Sequence, residues 1–129
     1  MPTSETYSNI LRRTAEPWGV TLPDQGLLED EDIPRPTVSE SMEWHGDHGW
    51  RWCEIQLVAL NGLWSYAASF SGNGIGGGFG PYLKFCKPVS TREQALADAI
   101  YWLKQRGATD DRKLGAWLEG MQPLQPSLF

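Results

Sequence analysis

The sequence predicts an α+β fold: an antiparallel three- or four-stranded β-meander, a C-terminal helix packed on one face, and a second short helix. Three observations carry this. Two runs of alternating polarity, residues 51–60 and 63–71, flank Asn61-Gly62. Ser90, with Glu93 three residues on, opens a stripe of apolar residues at helical spacing. Six of the seven Trp lie between Trp44 and Trp117, which places the core in that stretch.

The elements follow in order. Residues 1–40 read as an acidic, Pro-containing arm. A short helix over 4–16, around Ile10 and Leu11, is expected. Pro17, Pro23, Pro34 and Pro36 and the run Glu29-Asp30-Glu31-Asp32 come next. So little apolar surface does not offset the entropy of ordering, and the arm is expected to be mostly extended or disordered. The domain proper is placed at 41–121. Trp44 or Trp50 begins an earlier strand, broken by Gly46 and Gly49. Along 51–60, Cys53, Ile55, Leu57 and Ala59 share one face, and Trp52, Glu54, Gln56 and Val58 the other. Asn61 and Gly62 both tolerate positive φ, which a two-residue type I′ hairpin turn requires. The return strand puts Trp64, Tyr66, Ala68 and Phe70 together.

Residues 72–80 read as a flexible glycine-rich connection. A third strand is expected over 79–88, with Phe79, Leu83 and Phe85 on one face and Tyr82, Lys84 and Cys86 on the other. Ser90 and Glu93 form a capping box. Leu96, Ala99, Ile100 and Leu103 make one helical stripe, and Gly107 closes it. A second helix starts at Asp110 or Asp111, buries Leu114, Trp117 and Leu118, and ends at Gly120. Pro123 and Pro126 keep the tail, 122–129, extended. One sheet face is left wet and partly aromatic, so Trp52, Trp64 and Tyr66 are candidates for a partner surface.

Charge and composition narrow the function. The chain has 129 residues, suiting one domain, and a net charge of -5. Eight of the 16 acids (Glu5, Glu16, Asp24, Glu29, Asp30, Glu31, Asp32 and Glu40) precede residue 41, against Arg12, Arg13 and Arg35. The remaining eight acids meet eight bases, so the domain lacks the basic excess that holds a phosphate backbone. Direct nucleic-acid binding through its aromatics is not expected. No apolar run reaches the ~18–20 residues of a membrane span, and no secretion signal is visible. A cytoplasmic protein is expected, with Cys53 and Cys86 reduced and packed, the alternative being a disulfide between neighbouring strands.

The strongest functional signal is Gln125-Pro126-Ser127-Leu128-Phe129. These five residues resemble the motif by which bacterial replication and repair proteins bind the sliding clamp: Gln first, Ser or Asp third, Leu fourth, Phe last. Pro126 departs from the commoner Leu. The physics is consistent with docking. Leu128 and Phe129 would each gain ~1.5–3 kcal/mol in an apolar pocket on a partner. The Gln125 amide can fix register, and the prolines reduce the entropy lost on ordering. The competing reading has Leu124, Leu128 and Phe129 packed back on their own domain. The stretch 76–106, a glycine-rich turn, a strand ending near Pro88 and an Ala-rich helix, is loosely similar to uncharacterised small proteins of plasmids, prophages and integrative elements. That likeness implies a mobile-element origin.

Other constellations are weaker. His45, Asp47 and His48, together with Cys53, have donor types for zinc, but a His pair without a second ligand pair reads as a turn-rich loop. Gly72, Gly74 and Gly77 satisfy GxGxxG, yet a strand rather than a helix is expected to follow. Glu29 to Asp32 either solvate a linker or mimic DNA phosphates. No GxSxG or triad can be drawn. The reading is a non-enzymatic, cofactor-free accessory protein of a bacterial mobile element, docking on the host sliding clamp. The alternative is an inhibitor of a host defence nuclease, of anti-restriction or anti-CRISPR type, using acidic surface as a DNA mimic.

Overall fold

The structure, a computed structural model, describes residues 5–72 and 74–121. Four strands, β1 (Thr37–His45), β2 (Trp52–Leu60), β3 (Leu63–Gly72) and β4 (Ile75–Phe79), form one antiparallel sheet in the order β1-β2-β3-β4. Three helices accompany it: α1 (Glu5–Ala15), α2 (Arg92–Gln105) and α3 (Arg112–Met121). The expected α+β meander is therefore what the chain forms. No helix among the described residues is long and apolar enough to cross a membrane.

The hairpin sets the register. Asn61 (φ 53°) and Gly62 (φ 78°) both take the left-handed conformation, and Leu60 pairs with Leu63. That register sends Cys53, Ile55 and Leu57 of β2 and Ala68 and Phe70 of β3 to one face. There they meet Leu96, Ala99, Ile100 and Leu103 of α2 and Leu114 and Leu118 of α3 in the main core. Helix α2 starts one residue later than the sequence predicts. Thr91, not Ser90, is the N-cap, and its hydroxyl accepts from the Gln94 amide at 3.1 Å. Val89 is held extended by paired backbone bonds to Trp64, so the chain turns helical only beyond Ser90. Asp111 opens α3, its Oδ1 accepting from the amides of Lys113 (3.1 Å) and Leu114 (3.2 Å).

Two expectations are corrected. The glycine-rich stretch is not a loop: Ile75–Phe79 is strand β4, paired with β3. The approach is close. A Cβ on Gly78 would collide with the Ser69 side chain and lie 2.8 Å from the Ala68 oxygen, so glycine permits the pairing. Residues 80–88 are not a strand, because Gly80 and Pro81 break the extended run and a turn follows, with Phe85 N donating to Tyr82 O.

The arm is the second correction. Glu5–Ala15 is helical as expected, but the segment does not stay extended. Trp18 is fully buried on the other sheet face, against Val58, Leu83 and Cys86. Its Nε1 donates to the Cys86 carbonyl (3.1 Å), while Asn61 Nδ2 donates to the Trp18 carbonyl (2.9 Å). Burying one Trp gains roughly 4–6 kcal/mol of transfer free energy, which offsets the ordering of only a few residues. Further anchors are therefore needed, and they are present. Leu11, Ala15 and Leu28 are buried, the Leu28 amide donates to Ser8 Oγ (2.7 Å), and Arg12 donates to the carbonyls of Pro23 and Gly26 (2.6 Å each).

Replacing Trp18 by Ala is expected to remove about 3–5 kcal/mol of stability, read from the denaturant midpoint at unchanged slope. A loss below about 1 kcal/mol would show that the arm is not part of the core.

Candidate functional site

A half-enclosed groove of ≈ 1320 Å³ lies where the arm meets the segment after β4. Tyr7, Leu11 and Thr14, one face of α1, form one wall. Ile33, Pro34 and Arg35 and the turn Tyr82-Leu83-Lys84-Phe85 form the other. At one end the 3-10 turn Asp30–Asp32 is closed by a reciprocal capping box, Asp32 Oδ2 accepting from the Glu29 amide at 2.8 Å. The Tyr7 hydroxyl donates to Asp30, a contact that, with burial, pushes the phenol above its ordinary pKa. Lys84 Nζ lies 3.9 Å from Asp30. Arg35 donates to the Tyr82 hydroxyl (2.8 Å) and its guanidinium stands 4.5 Å from the Tyr82 ring centre, a cation–π contact. Phe85 is 51% exposed, edge-on to Tyr82.

Such a volume exceeds the usual ~300–1,000 Å³ of small-molecule pockets, and its lining mixes aromatic faces with both signs of charge. The arrangement suits an extended peptide segment rather than a compact metabolite.

The sequence-derived candidates are scattered. Glu29, Asp30, Glu31 and Asp32 are exposed, and the first three line the groove. Trp52 lies on the open sheet face with Glu54 and Gln56, whereas Trp64 and Tyr66 pack on the α2 face, so the three aromatics do not share a surface. Gln125, Pro126, Ser127, Leu128 and Phe129 lie outside the described residues. Tyr82, Phe85, Arg35 and Tyr7 were not anticipated; the Gly80-Pro81 break ahead of two aromatics three residues apart was the available signal.

The β1–β2 connection does not gather a metal site. His45 Nε2 is 3.3 Å from Glu43, and His48 stacks on Trp50 with ring centres 5.8 Å apart. Asp47 accepts from Lys113 at 2.7 Å. Cys53 sits in the core. Among the described residues no three His, Cys, Asp or Glu side chains are grouped to hold an ion. Both thiols are free and buried in separate clusters, which removes the disulfide alternative. Burial pushes Cys53 up to about 12 and Cys86 up to about 11, so neither is a ready nucleophile.

What fixes the connection is Arg51, whose Nε and Nη2 donate to Asp111 Oδ2 at 2.8 and 2.5 Å. Side-chain exposure is 14% for Arg51 and 7% for Asp111. Burial alone would raise the Asp111 pKa; the Arg51 bonds and the Leu114 and Lys113 amides outweigh it and hold the carboxyl below its ordinary value. A lowered carboxyl pKa stabilises above the unfolded value of ~3.9 and loses that contribution as pH falls through the folded one. Replacing Asp111 by Asn is therefore expected to cost about 1.5–3 kcal/mol at neutral pH. The gap from wild type, followed by denaturation across pH, closes below about pH 4. A pH-independent gap would assign the effect to the helix cap alone.

Compared with protein-family models, curated proteins and solved structures, the chain has no significant match to any of them.

Proposed function

We propose that the protein is a non-enzymatic binding protein, an accessory factor of a bacterial mobile element that docks on the host sliding clamp. The observation that carries this reading is Gln125-Pro126-Ser127-Leu128-Phe129, which has the clamp-binding residue type at four of five positions. The fold upstream suits a tether. Helix α3 is anchored by fully buried Leu114 and Leu118 and runs to Met121, so residues 122–124 join the peptide to a fixed element. The groove beside Tyr82 and Phe85 gives the domain a separate surface for a second protein.

Magnitudes set what the peptide must do. Leu128 and Phe129 together supply ~3–6 kcal/mol, short of the ~8 kcal/mol of a micromolar complex. Hydrogen bonds from Gln125 and the peptide backbone, with little entropy loss at Pro126, make up the rest. Several pockets on one ring would raise the apparent affinity. Calorimetric titration of purified bacterial clamp with the full chain is expected to show micromolar binding. A double Leu128→Ala, Phe129→Ala variant weakens it by at least about 100-fold. Equal binding by a chain lacking residues 125–129 would overturn the reading.

The second reading, an inhibitor of a host defence nuclease, is favoured by the crowding of Glu29 to Asp32. Here the Glu29 pKa is raised first by a hydrogen bond with Glu31, then by the surrounding negative charge. It predicts nuclease binding that weakens steeply with salt and disappears in a Glu29→Gln, Asp30→Asn, Glu31→Gln, Asp32→Asn variant. Salt-insensitive binding would count against it.

A further inference from the structure

The two edges of the sheet are built differently. Edge strand β1 has a register shift between Val38 and Glu40 and carries Glu40, Glu43 and His45, with Arg92 of α2 clasping Glu40. Bulges and charges of this kind keep a foreign strand from adding to an edge. Edge strand β4 has neither. Gly76, Gly77 and Gly78 are exposed, and no charged residue occurs between 72 and 83. Among the described residues, β4 has backbone pairing on its β3 side only.

Glycine at two of these positions is explained by the chain's own packing. Gly78 abuts Ser69, and a Cβ on Gly76 would lie 3.1 Å from the Phe70 carbonyl oxygen. Gly77 is not explained that way. A Cβ there meets no described atom within 4 Å, and its φ is outside the left-handed region. A glycine inside a strand costs stability, and at Gly77 no contact of the described fold requires one; with no side chain there, the edge leaves its backbone open to a second strand.

We propose that β4 is a homodimerisation edge, where the β4 strands of two copies pair antiparallel about a two-fold axis near Gly77. Three features select a second copy over a foreign peptide. An antiparallel edge is complementary to itself under two-fold symmetry. Three of the five β4 residues lack side chains, so the edge offers little with which to choose another sequence. No residue between 72 and 83 is charged, so two copies meet along this stretch without like charges face to face. In a register centred on Gly77, Gly76 stands opposite Gly78 of the other copy, and two four-stranded sheets become one. Five residues of edge bury less than the ~1,200–2,000 Å² of a stable interface, so the dimer forms only at high concentration. The proposal is independent of what the tail or the groove binds.

Sedimentation velocity of the full chain from micromolar to millimolar concentration tests it. Wild type is expected to shift towards twice the monomer mass. Gly77→Lys, which fits open space but sets two cations face to face, is expected to stay monomeric with an unchanged thermal midpoint. Gly77→Cys places two thiols within disulfide reach and is expected to give a covalent dimer on mild oxidation, whereas Thr37→Cys on the β1 edge is not. Wild type that stays monomeric throughout overturns the proposal. So does Gly77→Lys dimerising like wild type, or Gly77→Cys failing to cross-link while wild type dimerises.

Discussion

Trp18 joins three parts of the chain that are far apart in sequence. Its ring closes over Val58 of the hairpin, its indole nitrogen holds Cys86, and its carbonyl is held by the turn residue Asn61. That junction, together with buried Leu11, Ala15 and Leu28, sets α1 opposite the turn at Tyr82 to Phe85. The groove thus depends on the packing of the arm, of which Trp18 is the largest fully buried side chain.

The parts of the fold that were legible in the sequence are those whose causes are local. Asn61-Gly62 and the alternation on either side specify the hairpin within about twenty residues, and the stripe from Leu96 to Leu103 specifies α2 within one helix. Trp18 was not legible, because its partners lie 43 and 68 residues away and the intervening Pro and acidic residues have the composition of a linker. Strand β4 was missed for a different reason. Glycine has poor intrinsic strand propensity, and only the close contact with Ser69 makes it the right residue there. That shift of strand also moved Tyr82 and Phe85 from an imagined sheet face into a turn, which is why the groove was invisible while its acidic end was already suspected.

Two of the candidate surfaces adjoin: Phe79 of β4 packs beside Phe85 of the groove, with ring centres 6.3 Å apart. The groove is on the arm side, β4 is a sheet edge, and α3, which leads towards the clamp-like peptide, packs on the opposite face of the sheet from Trp18. In the proposed reading, the placement of α3 on the sheet face opposite Trp18 suits an adaptor.

The strap from Asn61 to Trp18 also bears on how the chain can be re-engineered. A two-residue hairpin tip is ordinarily a natural place to open a protein, since insertions, fusion points and new termini are best tolerated at exposed tips with few ties. This tip is tied: lengthening it would displace the amide that holds the arm, and the damage would spread from the turn to the far side of the sheet. Circular permutants and inserted reporters would therefore do better elsewhere, leaving residues 61 and 62 as the native chain has them.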